Sequence, residues 1–154
     1  MRKCLIGAIL FFSILGIVAA VYSALAHYDT ASSAFCVINE TFNCDVVNKG
    51  PYSELFGIPV SIFGLGAYSF LLVTTLMYIS RREEAAITAM SAFALAGLVY
   101  SLYLTYIEAF VIFTWCILCI TSQISILIIA VALLWLRHID HIKPRLEMIH
   151  DSQS

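Results

Sequence analysis

The residues of this chain most able to do chemistry are its five cysteines, and their spacing sorts them. Cys116 and Cys119 form a C-x-x-C in the run Trp115-Cys116-Ile117-Leu118-Cys119. Cys36 and Cys44 stand with seven residues between them in a more polar stretch. Cys4 is alone near the N-terminus and reads as a buried or palmitoylatable thiol. On a helix, a C-x-x-C puts its sulfurs at i and i+3 on one face, near enough to bond. In the first turn of a helix, free N–H groups and the dipole favour a thiolate on the first of the two. Such residues suit thiol–disulfide exchange, in which a thiolate attacks a disulfide sulfur through a mixed intermediate. They also suit static disulfides. Zinc would want four ligands in closely spaced pairs, which the gap from Cys36 to Cys44 does not supply, so no metal is expected.

Those sulfurs have to be positioned by elements that live in lipid. Of the 154 residues, 62% are hydrophobic and 12% charged, and the mean hydropathy is +0.95. A soluble domain is about 45–50% apolar and about 25% charged, so this chain has too few polar groups to cover a globule in water. A soluble enzyme is excluded, and so is disorder, which requires low hydrophobicity and high charge. A net charge of −2 argues against a nucleic-acid partner. Four apolar runs, about 4–26, 58–79, 85–107 and 114–136, are each long enough for a helix to cross a bilayer, which takes about 20 residues. They are continuously apolar and do not alternate, which excludes a strand barrel. The expected fold is an all-α, integral membrane four-helix bundle over residues 1–138 with a polar tail, 139–154, as a partly frayed extension. Arg2-Lys3, the apolar stretch and Ala24-Leu25-Ala26 imitate a secretory signal, but the stretch exceeds the roughly 7–15 residues of a signal core and is read as a true span.

Basic residues orient the spans. Arg2, Lys3, Arg81, Arg82, Arg137, Lys143 and Arg145 fall in one set of connections, and only Lys49 falls in the other. The positive-inside rule then predicts a multi-pass protein of the cell membrane with both termini cytoplasmic. Loop 27–57 and the Cys116 end of the fourth span would be extracytoplasmic. Four cysteines would thereby share the oxidising face, where thiols and disulfides interconvert. Of the three chemistries, exchange is favoured, because disulfides that never open add little to helices already held by lipid.

Softer candidates surround them. Small residues Gly64, Gly66, Ala67, Ala92, Ala96 and Gly97 permit close helix packing. Tyr100, Tyr103 and Tyr106 recur every three residues and suit either a pocket wall or interface anchoring. Glu108 reads as a solvated turn with a proton-handling alternative, and Trp115 as a belt residue. The Arg81–Glu84 run reads as a solvated connector, and Asn39-Glu40-Thr41 matches a glycosylation sequon.

The loop pair Cys36…Cys44, the segments Gly50-Pro51-Tyr52 and Phe56-Gly57-Ile58-Pro59, the entry Ser61-Ile62-Phe63-Gly64 to the second span, and the Trp115–Cys119 motif together resemble the vitamin K epoxide reductase family, in particular its short microbial members. The resemblance covers about residues 5–136. DsbB proteins do similar chemistry but carry their C-x-x-C in the first outward loop. What the resemblance implies is an electron relay. A separate exported thioredoxin-fold (DsbA-like) partner would reduce a Cys36–Cys44 disulfide by attacking Cys36. Cys44 would attack Cys116, and Cys119 would face a bound quinone of the ubiquinone or menaquinone type. Animal members place an asparagine and a tyrosine against the substrate oxygens where this chain has Val60 and Gln123, which turns the expectation from vitamin K epoxide toward a simple quinone. Gln123, Val60 and Phe63 are the candidate quinone contacts, although the Gln123 amide equally suits an interhelical hydrogen bond. Gly50 stands where many microbial members have a serine, for which Ser53 is a candidate replacement. The alternatives are a vitamin K epoxide or quinone reductase proper, a non-catalytic tetraspan assembly factor with static disulfides, and a metal-handling transporter.

Overall fold

A computed structural model describes residues 1–28, 36–37, 41–81 and 84–151 of the chain. Asn39, Arg82 and Glu83 lie outside the described residues, so the sequon and the centre of the Arg81–Glu84 connector are not described. Four helices are long and apolar enough to cross a membrane. They belong to α1 (Arg2–Tyr28), α3 (Val60–Arg81), α4 (Glu84–Ile107) and α5 (Ile117–Asp151). The connection from α1 to α3 holds a short helix α2 (Cys44–Asn48) and a two-stranded hairpin, β1 (Glu54–Leu55) and β2 (Ile58–Pro59).

Each long helix is apolar on nearly every side, because the half that does not face its neighbours faces lipid. Phe11, Val18, Val73, Val99, Leu102, Val131 and Trp135 point outward and are exposed. Inside, Ile9, Leu71, Met90, Ile129, Leu133 and Leu136 form the core. α1 packs on α3 and α5, and α4 packs on α3 and α5, so α1 and α4 face each other across the bundle. α1 is thus an integral wall of the fold. At the end bearing the N-terminus, Arg2 donates to the Tyr78 hydroxyl at 2.6 Å and lies over its ring.

Gly16 has the closest neighbour of any glycine in the bundle. A Cβ built there would lie 2.4 Å from Cε1 of Tyr68, so only glycine lets α3 approach. The other small residues behave differently. Gly64, Ala67, Ala96 and Gly97 line a cavity between the helices, and Gly66 faces open space. Of these, Gly64 and Gly97 do meet neighbours, Ala20 of α1 and Ile126 of α5.

Two span ends depart from the sequence expectation. The third span continues past Ile107 through a π-helical turn, Glu108–Ile112, so that its apolar run extends over Ala85–Ile112. The fourth begins at Ile117 rather than at 114, because the chain first turns through Phe113, which is left-handed at φ 56°. Nor does the chain fray at residue 139: α5 remains helical through Asp151. A helix already nucleated in the span extends at the low cost of one residue per hydrogen bond gained.

Candidate active site

The loop before α3 is built to press Cys44 onto the start of α5. Asn43 is the N-cap of α2, its side-chain oxygen accepting from the N–H groups of Asp45 at 3.0 Å and Val46 at 3.3 Å. Lys49 pairs with Asp45 at 3.0 Å one turn later. Upstream, the chain runs alongside Trp115: Trp115 N–H donates to Thr41 O at 2.8 Å, and Asn43 N–H donates to Trp115 O at 3.1 Å. Phe42 and Trp115 form a parallel bridge. The backbone of Trp115 therefore ties the loop to the C-x-x-C, whatever its ring does at an interface.

Two further ties hold α2 against α1. His27 Nδ1 donates to the Asn48 carbonyl at 2.5 Å while Nε2 lies 3.3 Å from Glu54 Oε1. The Ser23 hydroxyl donates to Asn48 Oδ1 at 2.9 Å. The hairpin closes through Phe56 and Gly57, both at positive φ, which is the geometry of a two-residue primed turn. Ser53 fastens the preceding turn, its hydroxyl donating to Gly50 O at 2.7 Å, and it also lines the cavity.

The outcome is a cluster of sulfurs. Cys36 and Cys44 form a disulfide, and Cys116 and Cys119 are free thiols. Cys116 Sγ sits 3.2 Å from Cys44 Sγ, and the sulfurs of Cys36, Cys44 and Cys116 all lie within 4.8 Å of one another. Because two of these three are already joined to each other, the cluster presents a disulfide facing a thiol, the reactants of exchange.

Three of the four sulfurs are closed off from their surroundings. Cys36 is 3% exposed, and Cys44 and Cys116 are fully buried. The bridge between Trp115 and residues 41–43 holds the loop over the start of α5. Cys119 alone of the C-x-x-C reaches the cavity. Cys4 is likewise exposed rather than buried.

Cys116 stands immediately before α5 rather than within its first turn. It acts as an N-cap, its carbonyl accepting the first helical bond from Ile120 N–H at 3.0 Å. The hydrogen bond from the Cys119 thiol, aided by the N–H groups of Cys119 and Leu118, holds the Cys116 thiol below its ordinary value despite burial.

Glu108 is the residue whose environment the sequence reading missed. It is not a solvated turn but a buried carboxylate, 3% exposed, in the π-helical turn. Cys116 N–H donates to its Oε2 at 3.2 Å, and Glu108 shares the wall of a cavity with Cys119. An acid at the edge of an apolar span was the available signal.

Cys119 forms part of the wall of a cavity of about 410 Å³ enclosed by all four long helices and α2. The lining is largely apolar and includes Val60, Phe63, Leu104 and Ile126. Tyr100 lines it, whereas Tyr103 and Tyr106 are exposed on the outer surface of α4. Tyr68, which the sequence reading passed over, is buried in the wall and donates to Ser122 O at 2.8 Å. Gln123 lies behind the lining: its side-chain oxygen accepts from Ser101 and, at 3.2 Å, from Thr105, the two hydroxyls that face the cavity from α4.

The chain matches the Vitamin K epoxide reductase family over residues 7–134. No curated protein matches it.

Proposed function

Because this chain belongs to the vitamin K epoxide reductase family, a family of membrane oxidoreductases, we propose that it is a thiol:quinone oxidoreductase in the DsbB role. It passes electrons from a separate exported thioredoxin-fold protein to a quinone and so supports disulfide formation in secreted proteins. One observation carries the reading: Cys44, while bonded to Cys36, holds its sulfur 3.2 Å from the Cys116 thiol. The distribution of basic residues supports both termini being cytoplasmic and the four cysteines outside.

The relay runs by successive exchanges. A thiolate of the partner attacks Cys36, breaking the Cys36–Cys44 bond and freeing Cys44. Cys44 attacks Cys116 of an oxidised Cys116–Cys119 pair, and Cys119 leaves with the bonding electrons. The second thiol of the partner then resolves its link to Cys36. Cys36 attacks Cys44, restoring the loop disulfide and releasing Cys116. The partner has lost two electrons, and Cys116 and Cys119 have gained them as thiols. A loop disulfide facing a reduced C-x-x-C corresponds to that product.

When bound, a quinone supplies the electron sink that returns Cys116 and Cys119 to the disulfide. The apolar cavity fits a ring of ubiquinone or menaquinone type, with Val60, Phe63 and Cys119 in the wall around it. Gln123 acts at one remove, fixing the hydroxyls of Ser101 and Thr105.

Purified protein, a reduced thioredoxin-fold protein and a quinone test the reading by quinone absorbance. Wild-type protein consumes quinone in proportion to thiol oxidised, and Cys44→Ala and Cys116→Ala each stop it while still inserting. Turnover that survives either substitution refutes the relay.

A further inference from the structure

Among the described residues, Glu108 is the only buried carboxylate, and the relay above gives it no task. Burying a carboxyl group is costly unless its partners repay the lost water. Its hydrogen-bond partner is the Cys116 amide, and Cys119 shares the cavity wall with it, both from the redox motif.

Its position is also the product of irregular backbone. Glu108 opens the π-helical turn, and the N–H groups of Phe113 and Thr114 both return to its carbonyl. Phe113 adopts φ 56°, a left-handed conformation uncommon for a bulky side chain. π-turns are rare and occur often at functional sites, since they re-aim a side chain that a regular helix would carry elsewhere. Here the re-aimed group lines the cavity beside Cys119.

Of the other titratable groups lining that cavity, His27, Tyr68 and Tyr100 have partners of their own, and Tyr52 lies in the loop before β1. Both ring nitrogens of His27 face Asn48 and Glu54, and the Tyr68 hydroxyl is bound to Ser122. Tyr100 lies on α4 within range of Tyr103.

Reduction of a quinone takes protons as well as electrons, and an apolar cavity offers little water to carry them. We propose that Glu108 is the proton carrier of the reaction, taking the proton of the Cys119 thiol and delivering it to a quinone oxygen. This deepens the thiol:quinone reading and rests on it. In the full step, the S–H bonds of Cys116 and Cys119 break and one S–S bond forms between them. The two electrons and two protons released make the two O–H bonds of the quinol. Cys119 supplies one proton by way of Glu108, Cys116 supplies the other, and Glu108 ends in its starting state.

The test is Glu108→Gln, whose amide oxygen can still accept the Cys116 N–H but cannot carry a proton. In single turnover, reduced protein mixed with quinone should react about 10²-fold more slowly than wild type, the lower end of what a positioned acid–base group contributes. Reduction of the loop disulfide by a thioredoxin-fold dithiol should continue. A second readout needs no quinone: infrared difference spectra between the dithiol and disulfide forms of Cys116 and Cys119. Wild-type protein should show a carboxylate stretching band that shifts as the Cys119 S–H beside it is lost or regained, and Glu108→Gln should lack it.

Quinone reduction at the wild-type rate in Glu108→Gln overturns the proposal, as does a wild-type difference spectrum without a shifted carboxylate band. If Glu108→Gln does not fold, the wild-type spectrum decides. Should wild-type protein itself reduce no quinone, the thiol:quinone reading fails and this proposal falls with it.

Discussion

Replacing Cys36 with serine isolates the step on which the relay depends. Cys44 loses its bonding partner and becomes a free thiol that still faces Cys116. Their sulfurs stand 3.2 Å apart, and a disulfide is about 2.05 Å long, so bond formation requires an approach of about 1.1 Å. Rotation about the side-chain bonds of two cysteines covers that distance without moving the backbone. The Trp115 bridge and the Asn43 cap hold the pair in register, which makes the reaction intramolecular. Well-oriented intramolecular reactions reach effective concentrations of about 10⁵–10⁸ M, far above any dissolved thiol. Cys36→Ser should therefore accumulate a Cys44–Cys116 crosslink under mild oxidation, even with millimolar competing thiol, the order at which a flexibly tethered group would compete. Non-reducing gels and mass spectrometry of the linked peptides measure it. A Cys44 that stays open to maleimide after oxidation, or a crosslink from Cys44 to Cys119, would refute the reasoning.

Three further outcomes follow from particular contacts. Because the Cys119 thiol is the first cause of the lowered Cys116 value, Cys119→Ala should move the midpoint of Cys116 attack on the loop disulfide to higher pH, whereas Cys119→Ser, which keeps a donor, should move it less. The thiolate is the nucleophile, so at neutral pH the alanine variant is the slower; release of the Cys36 thiol across a pH series reads this. Gly16→Ala should destabilise the bundle by about 1–3 kcal/mol, since the new methyl meets the Tyr68 ring and displaces its hydroxyl from Ser122; thermal unfolding in detergent checks it. Asn43→Ala removes the cap of α2 and should cost about 0.5–2 kcal/mol locally, seen as faster hydrogen exchange over residues 44–48 with the helices unchanged.

Much of the architecture was legible in the chain because lipid leaves few options. A run of about 20 apolar residues must satisfy its own backbone, so length and hydropathy fix the span count within a few residues. The four cysteines were also legible, since their types and spacing announce their chemistry before any contact is known. Side-chain packing was not. Gly64, Ala67, Ala96 and Gly97 signal close approach by their size, yet size alone does not distinguish a tight crossing from a hollow, and these residues line a cavity. Gly16, in an unremarked part of α1, makes the tight crossing instead. Gln123 could have served either as a cavity donor or as an interhelical tie, and the hydroxyls of Ser101 and Thr105 engage it from α4.

Glu108 shows where the boundary lies. Its position at the end of an apolar run is a property of the chain. Its burial depends on a π-helical turn, on the left-handed Phe113, and on an amide contributed by the residue eight positions later. The sequence by itself determined the membrane helices and the sulfur inventory, because both follow from local composition. Only the tertiary structure decided which sulfurs meet, which are shielded, and where the carboxylate points, because those depend on helix crossings and loop pairings between residues far apart in the chain.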